Sequence, residues 1–297
     1  MLIALLIPLV LASLLFTIVL IRSAVDKRAK PNAEAMGLGA VVAFFDTLGI
    51  GSFAPTAAWF KFRNLVPDRL IPPTMLVGLT PPVMVESVIF LVKLGVKVDG
   101  VLLFGSAVAL LLGGLLGAPL VARTRVWVVQ LTVAVGLLLA AVAYTMNNLS
   151  LMPGGGTASA LPPVLTMIAI AASFGFGILL NFGVGNYAPT LVFLSLMGMD
   201  PRLCFPVMAG GAALMGAGAG ARHIQMGNVD LRVVLGLAIG GIPGVLVAAY
   251  LVVTMPLGLL RWLVIVVVLY AAAVMLRAAL KGRREHTAEP ATAEILA

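Results

Sequence analysis

The chain has 297 residues, of which 62% are hydrophobic and 10% are charged, and its mean hydropathy is +1.15. A soluble domain carries roughly a quarter charged residues, so this composition excludes a soluble globule and indicates that lipid is the solvent. The formal charge of +8 comes from Lys and Arg residues that lie mainly in short connections between apolar stretches. That distribution is typical of topology signals facing a cytoplasm. A nucleic-acid-binding surface would need a basic face with aromatic side chains, and no such cluster is present.

Residues for catalysis or metal binding are sparse. Cys204 is the only cysteine, so no intramolecular disulfide can form, and we predict a small buried packing residue there. His223 and His286 stand apart without metal-ligand spacing, and no nucleophile elbow is present. We therefore expect no enzyme, no catalytic residue, no metal and no cofactor. A membrane enzyme acting on lipid phosphates would need clustered ionisable side chains, and Asp46 and Glu86 are not expected to cluster.

The first apolar stretch, Leu2 to Ile21, is followed by basic residues rather than preceded by them. A cleavable signal peptide shows the opposite order, so we predict a retained transmembrane helix within residues 1–35, with its N-terminus outside. Each crossing of a bilayer needs about 20 mostly apolar residues. Further apolar stretches run at 36–60, 70–94, 99–121, 126–145, 163–197, 203–222, 230–253 and 260–279.

Two halves of the chain repeat each other. The eight residues Gly49 to Thr56 match Gly183 to Thr190 at an offset of 134, and both contain glycine, a polar residue and proline. Farther on, Gly105 and Gly113 match Gly236 and Gly244 at an offset of 131. Internal repeats of this kind decide the architecture. The predicted divisions are repeat 1 at 36–146, a linker at 147–162, repeat 2 at 163–280 and a disordered tail at 281–297.

The distribution of basic residues predicts the topology. If stretches 36–60 and 163–197 enter the membrane and return on the same side, the connections that carry most of the Lys and Arg fall inside and the uncharged linker falls outside. Lys93 and Lys97 fall outside and count against this arrangement. Each repeat then has one re-entrant hairpin and three crossings, an odd number, so the repeats are inverted. The predicted fold is an all-α transmembrane bundle of two inverted repeats plus one N-terminal helix, with a cytoplasmic C-terminal tail.

The paired breaks are the predicted substrate site. Broken helices at equivalent places of inverted repeats indicate a site near the bilayer midplane. Gly51 and Gly185 would allow unusual backbone conformations, while Ser52 and Asn186 would cap the new helices. Two converging helix starts would bind an anion without a buried Lys or Arg. The alternative is that the glycines and prolines merely kink packed helices. The candidate residues are Thr47, Gly49, Gly51, Ser52, Phe53, Ala54, Pro55, Asn181, Gly183, Gly185, Asn186, Tyr187, Ala188 and Pro189.

Other polar and small residues have competing interpretations. Asp46 and Glu86 lie in apolar stretches, where an ionisable group indicates function, so a proton-coupling role is one hypothesis. The alternative is a hydrogen bond to the following loop for Asp46 and a helix contact for Glu86; their counterparts in the second half are Leu180 and Gly220. The small-residue runs at 210–213 and 216–221, with Gly113, Gly114 and Gly117, predict close helix packing rather than a phosphate-binding loop.

The paired breaks resemble those of the sulfite exporter family TauE/SafE, bacterial anion permeases with a glycine-rich motif followed by proline in each half. The resemblance spans residues 36 to 280, and the matching positions are Gly49, Gly51, Pro55, Gly183, Gly185 and Pro189. It implies a multi-pass inner-membrane permease for sulfite, sulfonates or related anions. Ser52-Phe53 and Asn186-Tyr187 stand where the family usually has further glycines, so these side chains would reach the ligand.

The expected function is therefore secondary transport of a small oxyanion, and an anion channel using the same site is the alternative. The expected partners are the lipid bilayer and the anionic substrate. Protons as a coupling ion and a second copy of the chain in a homodimer are further candidates, and no nucleic acid is expected.

Overall fold

Apolar stretches form helices here because backbone polar groups in lipid must find hydrogen-bond partners within their own segment. A computed structural model describes residues 2–48, 51–67, 70–94, 97–121, 125–149, 156–180 and 185–295, without the side chains of some of them, among these Ala54, Lys61 and 285–295. In these ranges the chain forms eleven α-helices and no β-strand. They are α1 Leu2–Asp26, α2 Ala33–Thr47, α3 Phe53–Arg63, α4 Ile71–Lys93, α5 Gly100–Val121, α6 Val126–Asn148, α7 Pro163–Leu180, α8 Tyr187–Leu196, α9 Pro201–Gln225, α10 Leu231–Thr254 and α11 Leu257–Ile295.

The all-helical fold and the multi-pass membrane character are confirmed. Among the described residues, six helices are long and apolar enough to cross a membrane, namely α1, α4, α7, α9, α10 and α11. The two apolar stretches that contain the glycine-proline breaks are each divided into two helices, α2 with α3 and α7 with α8. The 15 residues of α2 span about 22 Å, less than the roughly 30 Å of a hydrocarbon core.

The two ends of the α2–α3 hairpin lie side by side. Glu34, in the first turn of α2, forms an ion pair of 2.7 Å with Arg63, the last residue of α3, and accepts a hydrogen bond of 3.0 Å from Trp59 Nε1. The hydrogen bond from Arg63 lowers the pKa of the Glu34 carboxyl. An exposed ion pair contributes little stability, but it shows that the chain returns to the place where α2 began.

The α7–α8 hairpin closes in the same manner. Before α7, the Ala158 N–H donates to the Gly198 carbonyl at 3.0 Å, and after α8 the Asp200 N–H donates to the Ala158 carbonyl at 2.9 Å. These two bonds form an isolated parallel β-bridge between Ala158 and Met199. The two ends of this hairpin are therefore also adjacent.

The hairpin ends lie at opposite ends of α9. That helix begins just after the α7–α8 hairpin, and its 25 residues extend about 38 Å. Beyond its other end, the Asp230 N–H donates to Thr74 Oγ1 of α4 at 3.1 Å, and the Asn32 N–H before α2 donates to the Arg232 carbonyl at 3.0 Å. We call this end the basic face, and it also carries Lys27, Arg28, Lys30, Arg63 and Arg222.

The centre of the bundle is formed by α4, α9 and α10, while α1 lies at its edge. The buried share of the apolar span is 72% for α9 and 17% for α1. The most extensive helix pairs are α2 with α10, α5 with α7, α6 with α11 and α4 with α9. Cys204 is completely buried in α9, as predicted.

Glycines set the closest helix approaches. A Cβ at Gly244 of α10 would collide with the carbonyl group of Ala40 in α2, and a Cβ at Gly113 of α5 would collide with that of Phe174 in α7. These pairs are equivalent in the two repeats, because the offsets 131 and 134 convert Gly113 to Gly244 and Ala40 to Phe174. The prediction of close packing is confirmed for Gly113, and also for Gly114, Gly211, Gly216 and Gly220. It is wrong for Gly210 and Gly218, where a Cβ would meet nothing closer than 3.9 Å, and Gly117 lies outside the described side chains.

The expected disordered tail is wrong for residues 281–295. Helix α11 continues to Ile295. The segment is rich in Lys, Arg, Glu and Ala, which have high helix propensity, and it extends a helix that already exists, so no new nucleation is required.

Two glycines on α2 offer a matched test of the packing. A Cβ at Gly39 would lie 2.5 Å from the Leu237 carbonyl oxygen, whereas a Cβ at Gly37 would meet nothing within 4 Å. We expect Gly39→Ala to reduce stability by about 1–3 kcal/mol through overpacking, and Gly37→Ala to be neutral or stabilising by up to about 1 kcal/mol. Thermal unfolding in detergent measures both, and equal melting temperatures for the two variants would contradict this packing.

Candidate substrate site

The two breaks line one cavity. Its volume is about 540 Å³, and its wall includes Gly51, Ser52 and Phe53 from the first break and Gly185 to Pro189 from the second. Asp46 also lines it, whereas Thr47, Pro55 and Glu86 do not. Gly49, Asn181, Gly183 and the side chain of Ala54 lie outside the described residues. The cavity joins positions that are 134 residues apart in the sequence.

At the first break, Asp46 holds the start of α3. Gly51 has a φ of +87°, in the left-handed region that favours glycine, and this reverses the chain after α2. The Ser52 N–H then donates to Asp46 Oδ1 at 2.9 Å. The carboxylate of Asp46 therefore occupies a helix N-terminus, where the exposed N–H groups and the helix dipole favour negative charge.

The prediction that Ser52 and Asn186 cap the new helices is wrong. Both residues directly precede a helix, but the Ser52 hydroxyl lies near the Asp46 carboxylate without forming a hydrogen bond. Asn186 has φ −78° and ψ −17°, whereas a capping residue has an extended backbone. Its side chain instead donates to the Met208 carbonyl of α9 at 3.4 Å, which attaches the start of α8 to α9.

The two glycines of the breaks differ. Gly51 adopts a positive φ, but Gly185 does not, so the expectation of an unusual conformation is confirmed at the first position and wrong at the second. A Cβ at either residue would meet nothing within 4 Å. A side chain at position 51 would therefore have enough space, but it would force a non-glycine residue into a left-handed backbone conformation.

Asp46 and Glu86 form a buried acidic pair, contrary to the expectation that they do not cluster. Glu86 is completely buried, its Oε2 lies 3.3 Å from Thr47 Oγ1, and the two carboxyl groups are close enough to affect each other electrostatically. The sequence could not reveal this pair because it depends on how α4 packs against α2. Among the described residues, no group of three His, Cys, Asp or Glu side chains could hold a metal ion.

Several buried polar atoms at the breaks have no hydrogen-bond partner. They include Ser52 Oγ and the Tyr187 hydroxyl, which belong to residues on the cavity wall. Ser52 is 1% exposed and Tyr187 5% exposed. Buried polar groups in proteins are normally paired, so these atoms are available to bind a ligand in the cavity.

Two further residues on the cavity wall escaped the sequence predictions. Arg222 and His223 line the cavity near the end of α9, and His223 Nδ1 is buried without a hydrogen-bond partner. Met215, Ala219, Arg222 and Met226 also line it, at spacings of three and four that place them on one helix face. This helical spacing begins in the small-residue run and continues to the basic end of α9. It is the sequence pattern that could have predicted Arg222 on the cavity wall.

The cavity occupies the half of the bundle nearer the basic face. On α9 it extends from Ala212, in the middle of the helix, to Arg222 and beyond, and on α4 from Pro72, near the helix start, to Val83. The two breaks form its inner end. A small solute could therefore reach the helix starts from the basic face.

A bundle of long apolar helices with two broken helices around an internal cavity is the architecture of a multi-pass membrane protein. The model of the family described as Sulfite exporter TauE/SafE, which the paired breaks resemble, matches residues 164–297. This range contains the second break and α8 to α11. Comparison with curated proteins gives no significant match, and neither does comparison with solved structures.

The difference between the two glycines can be tested by a matched pair of variants. We expect Gly51→Ala to destabilise the protein by about 1–2 kcal/mol, because an alanine must then adopt a left-handed conformation. Gly185→Ala should change stability by less than about 0.5 kcal/mol. The measurement is thermal unfolding of both variants in the same detergent. A larger loss for Gly185→Ala than for Gly51→Ala would contradict the backbone described for the breaks.

Proposed function

We propose that the protein is a secondary transporter of a small anion, such as sulfite, a sulfonate or a related organic oxyanion. The anion binds in the cavity between the starts of α3 and α8. The observation that carries this proposal is the single cavity on whose wall both breaks lie. The match to a sulfite exporter family supports the same substrate class.

The chemistry of the cavity favours an anion. The first N–H groups of α8 have no helical partner, and the dipole makes this end positive. No carboxylate stands before α8, where Leu180 occupies the position equivalent to Asp46. Ser52 Oγ and the Tyr187 hydroxyl add neutral donors. Among the described residues of the wall, Arg222 is the one Lys or Arg, and it lies toward the basic face.

The proposed membrane topology is a pair of inverted repeats with two re-entrant hairpins. It is supported by the hairpin ends, which lie at opposite ends of α9. The basic face carries most of the connecting Lys and Arg residues, so it faces the cytoplasm. The protein then lies in a bacterial inner membrane, with its N-terminus outside and its C-terminus in the cytoplasm. Arg202, which bonds to the Met255 carbonyl near the opposite face, is a further exception to the charge rule beside Lys93 and Lys97.

A carrier fits the cavity better than the alternative of a channel. A channel needs a continuous path across the membrane, whereas this cavity extends from mid-bundle to one face. In a carrier, one repeat moves against the other so that the site opens alternately to each side. The breaks at the closed end of the cavity are where such a movement would release the anion. Asp46 and Glu86 are the proposed proton-coupling residues.

Removing two polar side chains from the breaks tests the site. We expect the double variant Ser52→Ala plus Asn186→Ala to bind the anion at least about tenfold more weakly, because a hydrogen bond to a charged group contributes about 1.5–3 kcal/mol. The measurement is uptake of labelled sulfite and small sulfonates by liposomes that contain the purified protein.

The control for this experiment is Ser173→Ala. Ser173 is also buried, but its hydroxyl donates to the Ala169 carbonyl of its own helix at 2.9 Å. Uptake by the control should equal that of the wild type. If the double variant also transported at the wild-type rate, the site between the helix starts would be wrong. The same liposomes distinguish a carrier from a channel. Faster uptake when substrate is present inside the liposomes identifies a carrier, whereas single-channel currents with no such stimulation identify a channel.

Introduced cysteines test the topology. In a background with Cys204→Ala, Lys30→Cys before α2 and Pro67→Cys after α3 should react with an impermeant thiol reagent from the same, cytoplasmic side. Ser159→Cys, before α7, should react only from the other side. All three side chains are exposed. If α2 and α3 together crossed the membrane once, positions 30 and 67 would react from opposite sides.

A further inference from the structure

We infer that Asp46 and Glu86 form a proton site that holds one proton when the cavity is empty and two when an anion is bound. The anion and one proton then bind and leave together. This inference rests on the proposed function, since it assigns to the anion site the position of its coupling ion. It is carried by the hydrogen bonds of the pair, by its burial and by the unpaired polar atoms around it.

Asp46 competes with the substrate for the start of α3. Its Oδ1 already accepts the Ser52 N–H at 2.9 Å, and the residue is 8% exposed on the cavity wall. An anion that enters the cavity therefore meets a helix start occupied by the protein's own carboxylate. Binding a second negative charge there is unfavourable until Asp46 accepts a proton. A neutral Asp46 attracts the Ser52 N–H less strongly, and that donor can turn to the anion.

Glu86 carries the resident proton. Thr47 Oγ1 lies 2.8 Å from the Ala43 carbonyl oxygen and 3.3 Å from Glu86 Oε2. The Thr47 hydroxyl has one hydrogen to donate, and the shorter contact is with the carbonyl, which can only accept. Thr47 Oγ1 can then accept a hydrogen from a protonated Glu86. A neutral Glu86 also avoids a second uncompensated charge at a fully buried position.

A buried hydroxyl lies beside each of the two acids. The Tyr187 hydroxyl of α8 lies near Glu86 and has no hydrogen-bond partner, and Ser52 Oγ lies near Asp46 without one. In the described part of the chain, neither carboxylate forms an ion pair. The pair is thus balanced by protons and neutral donors rather than by a basic side chain.

Other titratable groups around the pair are either on the cavity wall or at helix ends. The charged residues at the start of α10 contact the start of α2, about 20 Å along α2 from Asp46. Arg222 lies at the cytoplasmic end of the cavity, while His223 lines the same cavity and needs its own control. The groups on the surrounding elements include Glu34 on α2, Arg63 on α3, Lys93 on α4, Tyr187 on α8, Arg202, Cys204, Arg222 and His223 on α9, Asp230, Arg232 and Tyr250 at or on α10, and Tyr270 and Arg277 on α11.

The charges balance in both states. Without substrate, the pair carries one negative charge, on Asp46. With a monovalent anion bound, a proton taken up from the bulk solution forms an O–H bond on Asp46, and the one negative charge is now on the substrate. By linkage, the affinity for the anion is greatest at low pH and falls as pH rises, by at most about tenfold per pH unit for one coupled proton.

The first experiment measures the affinity of purified protein for ethanesulfonate, which stays ionised across the tested pH range, by isothermal titration calorimetry. We expect the affinity of the wild type to fall as pH rises. Asp46→Asn should bind with an affinity that does not depend on pH, because its amide oxygen can still accept the Ser52 N–H without titrating. Glu86→Gln resembles protonated Glu86 and should keep the pH dependence. His223→Gln should also keep it.

The second experiment observes the protons directly. Infrared spectra of the substrate-free protein should contain the band of one buried protonated carboxyl group that is absent in Glu86→Gln and present in Asp46→Asn. Adding ethanesulfonate should produce a second such band in the wild type and in Glu86→Gln but not in Asp46→Asn. Should Asp46→Asn fail to fold, Asp46→Ser supplies a neutral acceptor for the Ser52 N–H and serves as the second variant.

These experiments distinguish a failure of the proposed anion transport from a failure of the proposed proton site. If the protein bound neither ethanesulfonate nor sulfite at any pH, the proposed function would fail. If ethanesulfonate bound equally well at every pH, or if His223→Gln rather than Asp46→Asn removed the pH dependence, the function would stand and the proton site would be overturned. An Asp46→Asn variant that retained the substrate-induced band would also overturn it.

Discussion

Backbone amides that leave a helix within a membrane must find partners inside the protein, and the structure is arranged around this requirement. Two helices are interrupted inside the bundle, and both interruptions line a shared cavity. At the first break, Asp46 accepts a hydrogen bond from the Ser52 N–H, which has no partner within the helix. At the second, the side chain of Asn186 joins the helix start to α9. The same requirement that makes irregular backbone costly in lipid makes these two places suitable for a polar ligand.

Close helix approach makes such an arrangement possible. A helix that is interrupted inside the bundle needs neighbours on most of its surface, and α2 and α7 obtain them from α10 and α5. Glycines at equivalent positions of the two repeats allow the backbones to meet. In lipid there is no hydrophobic driving force for helix association. Van der Waals packing and a few hydrogen bonds at the two ends of the bundle therefore hold the helices together. The small residues of the sequence thus position the breaks without taking part in the chemistry.

Much of this could be predicted from local patterns in the sequence. The duplicated eight-residue motif identified both breaks and the halves that contain them, and the glycine offset reappears in the contacts of Gly113 and Gly244. Other features depend on which helices become neighbours, and no local pattern encodes that. The proximity of Asp46 and Glu86 requires α4 beside α2, and the bond from Asn186 to Met208 requires α8 beside α9. The homodimer stays a prediction, because it depends on contacts between the surfaces of two copies and no sequence motif encodes such contacts.

The carboxylate at the first break has no counterpart at the second, where Leu180 stands. Two identical halves related by inversion would give the inward-open and outward-open forms equal free energies, and the empty carrier would divide its time evenly between them. This acidic side chain is one of the differences that remove the degeneracy, because each form would surround it differently. In the proposed carrier, one of the two forms is then lower in free energy, and the substrate-free protein rests mainly in it.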